Sequence, residues 1–316
     1  MYGKAPVLII GFNRPNSTQQ VFDAVRIAQP DKLYYAVDGP RLSNDSDEEK
    51  VHFVREIVKQ VDWPCEVHTL FRKENVGCGF GPADAISWAF EDEDSLIVLE
   101  DDCIPSQSFF RFCNQMLWRY KDDKRVNIIS GRSQHAGSHF FYEQDYVFTH
   151  YAHTWGWATW KRVWKEFDIY MKDVPSWLAQ GGALNVLPTK KMAIRSNRHI
   201  KKIYNNIEKE VLHSWDSQWS YARLKTGGLG IVPCQNLIHN IGEFGTHSFG
   251  HTKHNELFAG EMPSVIRHPR FVIVNREYEI YHYKHYITST PTLLSRVIGK
   301  ISREGLVPAI KNYLNR

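Results

Sequence analysis

The chain has 316 residues, 42% of them hydrophobic and 23% charged, a balance that fits one large or two fused globular domains and excludes a disordered or fibrous chain. Every apolar run falls short of the roughly 18 residues that would cross a bilayer. Five cysteines without a Cys-x-x-Cys spacing argue against a disulfide framework or structural zinc and for reduced thiols in a cytoplasmic protein. The net charge of +4 equals that of residues 291–316, where Arg296, Lys300, Arg303, Lys311 and Arg316 face Glu304 alone. The body therefore sums to zero, which argues against nucleic acid as a partner.

Met1 to Pro6 lacks a signal peptide's layout and leads into a first strand, Pro6–Ile10. Asn13-Arg14-Pro15 follows, with Ser17 as the expected cap of a helix carrying Val21, Ala24, Val25 and Ala28. Leu33–Val37 reads as a second strand ending at Asp38-Gly39-Pro40, and a polar stretch from Ser43 to Lys50 precedes a helix bearing Val51, Val54, Ile57, Val58 and Val61. Glu66–Leu70 is a third strand, residues 81–90 a helix, Leu96–Leu99 a fourth strand, and Phe109, Phe112, Met116 and Tyr120 line one face of the next helix. Strands alternating with helices imply an α/β fold, a Rossmann-like, mostly parallel sheet flanked by helices. Beyond Asn127, strands, loops and tryptophans are expected to dominate.

The fourth strand runs straight into Glu100-Asp101-Asp102. Carboxylates crowded at a strand end repel one another unless a positive charge lies among them. A divalent metal, Mn²⁺ or Mg²⁺, which takes one or two carboxylates and fills its shell with substrate phosphates, answers that need. The competing reading is a solvated turn in which Asp102 caps the next helix. Ligands of parallel sheets bind at the carboxyl ends of the strands, a rule that gathers Asn13, Arg14, Asp38 and the acidic triplet onto one edge.

These features resemble the GT-A glycosyltransferases with their Asp-x-Asp motif, and in particular the inverting, metal-dependent N-acetylglucosaminyltransferase I family, whose pattern here is Glu-Asp-Asp. Further segments agree in order over residues 5–250: Val126–Gly131, Thr154–Trp160, Trp215-Asp216-Ser217-Gln218-Trp219 and the glycine-rich Gly242–Ser248. The resemblance implies a GT-A fold and sugar transfer from a nucleotide donor, a UDP-sugar, to a saccharide or lipid-linked saccharide. It implies Asp102 as metal ligand, Asp101 against the ribose, Glu100 as support, Arg14 and Asp38 as nucleotide-recognising groups, and Asp216 as general base. The family pattern has two adjacent acids where this chain has Asp216-Ser217. Two flanking tryptophans would exclude water from Asp216 and raise its pKa; the alternative is a plain helix cap.

The implied plan is a nucleotide-sugar half (1–130), an acceptor and catalytic half (131–255), an extension (256–290) and a basic amphipathic tail (291–316). Within it, Asn75 and Gly77 of the loop Arg72–Gly81 either cradle a ribose or phosphate or merely connect to a helix. His247 is suited to donate to a phosphate or to a metal's shell, while the loose spacing of His247, His251 and His254 argues against zinc. Trp155 and Trp157 are assigned to the acceptor side; of Trp155, Trp157 and Trp160, some are expected in the core and at least one in the acceptor cleft. The tail fits peripheral contact with an anionic membrane, or docking on protein. Two other functions compete: a sugar-phosphate nucleotidylyltransferase, poorly matched by Gly11-Phe12-Asn13-Arg14-Pro15, and a non-catalytic carbohydrate-binding protein.

Overall fold

The computed structural model describes residues 3–209, 212, 214–242 and 256–288. Met1–Glu279 cluster as one compact unit and Ile280–Arg316 as a second. The first unit is built on an eight-stranded sheet, and its first half is a run of βα units: β1 (Val7–Gly11), α1 (Pro15–Ala28), β2 (Lys32–Val37), α2 (Ser46–Ile57), β3 (Glu66–Phe71), α3 (Gly77–Asp92) and β4 (Ser95–Glu100). A short β5 (Cys103–Pro105) and α4 (Gln107–Arg119) follow. The second half contains β6 (Val126–Ser130), β7 (Tyr146–Thr149), β8 (Trp157–Trp160), α5 (Lys161–Trp164), α6 (Val174–Ala179), α7 (Lys190–Ile207), α8 (Asp216–Lys225), β9 (Leu229–Pro233) and β10 (Ile238–Asn240).

The strand order is β3-β2-β1-β4-β8-β6-β9-β7. The first four strands are mutually parallel, as crossover helices require. Leu96 to Leu99 are all buried, because a parallel strand covered on both faces reads as a continuous apolar run. Register then fixes the site: Gly11 lies opposite Val37 and Ile10 opposite Glu100, so Phe12, Asp38 and Asp101 emerge together. The sheet continues across residue 130, since β8 is antiparallel to both β4 and β6. A two-stranded ribbon, β5 with β10, stitches the acid strand's exit to the second half.

Three local expectations are corrected. Ser17 does not cap α1: the helix starts at Pro15, whose fixed φ suits the first position, and the Ser17 and Thr18 hydroxyls both donate to the Arg14 carbonyl. α2 begins at Ser46, inside the stretch read as polar loop. The second half is not dominated by strands and loops, for α7 spans 18 residues. Its cap is Thr189, which accepts from the Met192 amide. Its apolar face seats Ile200, Ile203, Tyr204 and Ile207 in a small second core with Met171, Val174 and Tyr221.

Four tryptophans, Trp157, Trp164, Trp215 and Trp219, form one cluster where α8 meets the sheet. The Trp157 ring lies 5.7 Å from Trp215 and 5.4 Å from Trp219, and Trp164 lies 4.9 Å from Trp219 and 4.4 Å from Phe167. All five cysteines are free thiols. No helix among the described residues is long and apolar enough to cross a membrane. The tail, residues 291–316, lies outside the described residues.

Trp219, fully buried, is the anchor of α8 on the sheet. Trp219→Ala is expected to cost about 3–5 kcal/mol in urea unfolding. Tyr170→Ala, at a half-exposed ring, should stay within about 0.5 kcal/mol.

Candidate functional site

The acid strand ends on a guanidinium. Arg14, the residue before α1, places one nitrogen 2.7 Å from Asp101 Oδ1 and another 2.7 Å from Asp102 Oδ2. Asp101 is almost fully buried and also accepts from the Phe12 amide at 3.3 Å. Burial opposes the Arg14 charge, but Asp101 and Asp102 more than offset it, so its pKa is raised. Arg14, expected to recognise a nucleotide, is thus in this structure the counter-charge that the sequence reading assigned to a metal. One cation does not balance the cluster. Burial, then Asp102, Asp101 and Asp216, push Glu100 well above the carboxylate range. Burial also raises Asp101, with Arg14 pulling it back only in part.

Asp38 organises the glycine-rich loop rather than facing open solvent. It accepts from its neighbour Gly39 at 2.9 Å, from the Val76 amide at 3.1 Å, from the Gly77 amide at 3.1 Å and from Asn75 Nδ2 at 3.0 Å. Burial raises its pKa, and those amide bonds counter the shift in part. The loop packs so closely that a Cβ at Gly39 would lie 2.3 Å from the Glu74 backbone. Gly77 adopts φ +80° in open space, so glycine is needed there for its backbone and not for room.

Between the acids and this loop lies a cavity of about 350 Å³ lined by Phe12, Arg14, Asp38, Arg41, Arg72, Asn75, Gly77 to Gly81, Glu100 and Asp101. That volume is at the low end of small-molecule sites. The other side of Asp102 is held by the β5–β10 ribbon: Asn240 Nδ2 donates to Asp102 Oδ1 at 3.2 Å, and the Ile241 amide donates to the Asp102 carbonyl at 2.9 Å. Gly242 follows, where a Cβ would sit 2.3 Å from Asp102 Oδ2. Asp102 therefore braces two chain segments and is not a helix cap; α4 starts at Gln107, after Ser106.

The cavity brings together Arg14, Asp38, Asn75, Gly77, Glu100 and Asp101, with Asp102 beside them through Arg14. Asn13 is not among its lining residues; its side chain donates to Asp47 at 2.7 Å and ties down the segment that follows Asp38. Trp157 is fully buried in the tryptophan cluster and has no free face for a sugar, which corrects its acceptor-side assignment. Trp155 is half-buried, with the Arg132 guanidinium 4.5 Å from its ring centre. Asp216 is exposed as the first residue of α8, with Ser214 Oγ donating to it at 2.5 Å. The expected exclusion of water by Trp215 and Trp219 fails, because both rings point into the core. A carboxylate in a helix's first turn is favoured by the helix dipole. Asp216 is not among the cavity's lining residues but acts electrostatically on two of them, Glu100 and Cys78. His247 lies outside the described residues.

Arg41, Arg72, Phe80 and Asn240 were not singled out from the sequence. Arg41, also paired with Asp47, lies over the Phe12 ring at 5.3 Å. Arg41 follows Gly39-Pro40 and Arg72 opens the glycine-rich loop, so position next to a strand end was the available signal; nothing local marks Asn240.

Among the described residues no group of three or more His, Cys, Asp or Glu side chains is arranged as a metal shell. The donors nevertheless suit a hard divalent cation that takes few protein ligands: the oxygens are carboxylates, and a single guanidinium leaves Glu100 and Asp101 with raised pKa values. A cation on Asp102 would share that carboxylate with Arg14.

No family model matches the chain, and no curated protein matches it. Among solved structures, the crystal structure of HddC from Yersinia pseudotuberculosis is similar at 10% identity and a TM-score of 0.33, covering 53% of this chain and 80% of that one. A likeness at that level assigns neither a fold family nor an activity.

Two outcomes are expected. Arg14→Ala leaves the buried Asp101 without its ionic partner and Asp102 with Asn240, and should lower unfolding free energy by about 3 kcal/mol, with Arg14→Lys losing less. At Glu100 and Asp101 the folded state holds protons that the unfolded state has lost, so the stability these two groups contribute falls as pH rises, while His199 and His268, held below their ordinary value by burial, act in the opposite sense. Without added metal, the Tm of the wild type relative to that of Glu100→Gln should climb as pH is lowered from about 8 towards about 5.

Proposed function

We propose that this protein is an inverting glycosyltransferase of the GT-A type, which moves a sugar from a nucleoside diphosphate, a UDP-sugar, to a saccharide or lipid-linked saccharide. The observation that carries the reading is the arrangement at the carboxyl ends of β1, β2 and β4. There an under-neutralised acidic strand tip faces a cavity whose opposite wall is an Asp38-pinned glycine loop. Strand-end cavities of this kind bind nucleotides in open α/β sheets. The separate parallel run β3-β2-β1-β4, with an antiparallel strand inserted beside the acids, supports the same reading.

In this proposal Asp102, with Asp101 beside it, holds Mn²⁺ or Mg²⁺. The metal, when bound, supplies neutralisation of the departing diphosphate. The protein's own groups do the rest. Arg14 sets the orientation of Asp101 and Asp102 and adds a second positive charge at the leaving group. Asp38, Asn75 and Gly77 shape the wall against the nucleoside. Asp216 takes the proton of the acceptor hydroxyl as that oxygen attacks the anomeric carbon from the face opposite the diphosphate, which inverts the centre. Since Asp216 is exposed in this structure, an arriving acceptor must supply the desolvation that makes it a better base.

Thermal unfolding with UDP and UDP-sugars, with and without Mn²⁺, tests the reading. Ligand at about 100 times its Kd should add about 2.7 kcal/mol of stability. The metal-dependent part should vanish in Asp102→Asn. Stabilisation indifferent to both metal and Asp102, or release of pyrophosphate in place of UDP, overturns it.

A further inference from the structure

The body's zero net charge conceals a strong separation. From residue 174 to 207 the sequence contains no Asp or Glu, while α7 carries Lys190, Lys191, Arg195, Arg198, Lys201 and Lys202. That is +6 in a chain whose total is +4, so everything else sums to −2. All six are exposed. Lys191, Arg195, Arg198 and Lys202 recur at spacings of 4, 3 and 4 residues, which puts them on one face of a helix and strings them over about 16 Å. Ile200, Ile203, Tyr204 and Ile207, on the other side of the helix, are packed into the second core. The basic face is therefore held outward by its own apolar anchor.

Its position relates it to the candidate site. Ile200 of α7 and Tyr221 of α8 share that second core, and α8 begins with Asp216. His199 stands within electrostatic reach of Asp216 on one side and of Arg195 and Lys202 on the other. The row of cations and Asp216 thus have His199 as a common electrostatic neighbour. No α7 side chain is among the exposed large hydrophobics, so this face offers charge without an apolar wedge for a bilayer.

We propose that the outward face of α7 is the acceptor-docking surface and that the acceptor is an acidic saccharide chain bearing a carboxylate or phosphate on successive residues. An extended polyanion laid along four regularly spaced cations gains charge-assisted contacts at each step and brings its end to Asp216. The inference rests on the proposed glycosyl transfer for the meaning of that end point, but the docking itself is measurable without it.

The test is binding of an oligogalacturonate hexamer to the full chain by calorimetry. Chitohexaose serves as a neutral control, and phosphatidylglycerol vesicles and single-stranded DNA as other polyanions. The hexamer should bind, weaken with salt, and lose about tenfold or more in affinity in Arg195→Glu/Arg198→Glu. Lys191→Gln/Lys202→Gln, a milder pair on the same face, should lose less. Stabilisation by UDP should be unchanged in both variants. Equal hexamer binding by wild type and variants, or α7-dependent binding of vesicles or DNA but not hexamer, overturns the inference. Donor binding without hexamer binding sinks this inference alone, and hexamer binding without donor binding sinks the transferase reading while the docking face stands.

Discussion

One guanidinium between two aspartates holds the site together. Arg14 leaves the end of β1 and reaches the end of β4, so the fork it makes with Asp101 and Asp102 ties adjacent parallel strands at the edge where they stop being hydrogen-bonded. Two long polar side chains at a solvent edge would contribute little. Here Asp101 is almost fully buried, so the pair is costly to break. The same interaction leaves Glu100 and Asp101 with raised pKa values, and in the proposed function a further cation would answer that imbalance.

The remainder of the unit serves to present this tip. Asp38 spends its acceptor capacity on the amides of Val76 and Gly77 and on Asn75, which turns a glycine-rich connection into a fixed wall. The β5–β10 ribbon brings Asn240 and Gly242 against Asp102 from the other side. The tryptophan cluster sets α8, and with it Asp216, on the sheet. Polar groups that look like ligand contacts are thus mostly committed to the protein's own groups.

The first half of the fold was legible because each strand there is a short apolar run closed by polar turn residues, and the parallel rule places their ends together without further information. Arg14, Asp38 and the triplet were found this way. Their partners were not, because the Arg14–Asp101 and Asn240–Asp102 contacts join residues 87 and 138 positions apart in sequence. α7 escaped notice for a different reason: its cations occupy one face so densely that the apolar positions between them resemble a polar loop. The acceptor-side placement of Trp157 and the expected shielding of Asp216 failed because local sequence does not show which way a ring points. The two tryptophans beside Asp216 turn inward and leave it in water.

The most direct test of the central claim is a carboxyl ¹³C NMR titration of the Asp and Glu side chains, with resonances assigned through Glu100→Gln and Asp101→Asn and recorded with and without Mg²⁺ and UDP. The account predicts that Glu100 and Asp101 titrate above the ordinary carboxylate range of about 4 in the free protein and move down towards it when metal and nucleotide are added. Ordinary titration of both residues in the free protein, or raised midpoints that metal and nucleotide leave unmoved, would contradict it.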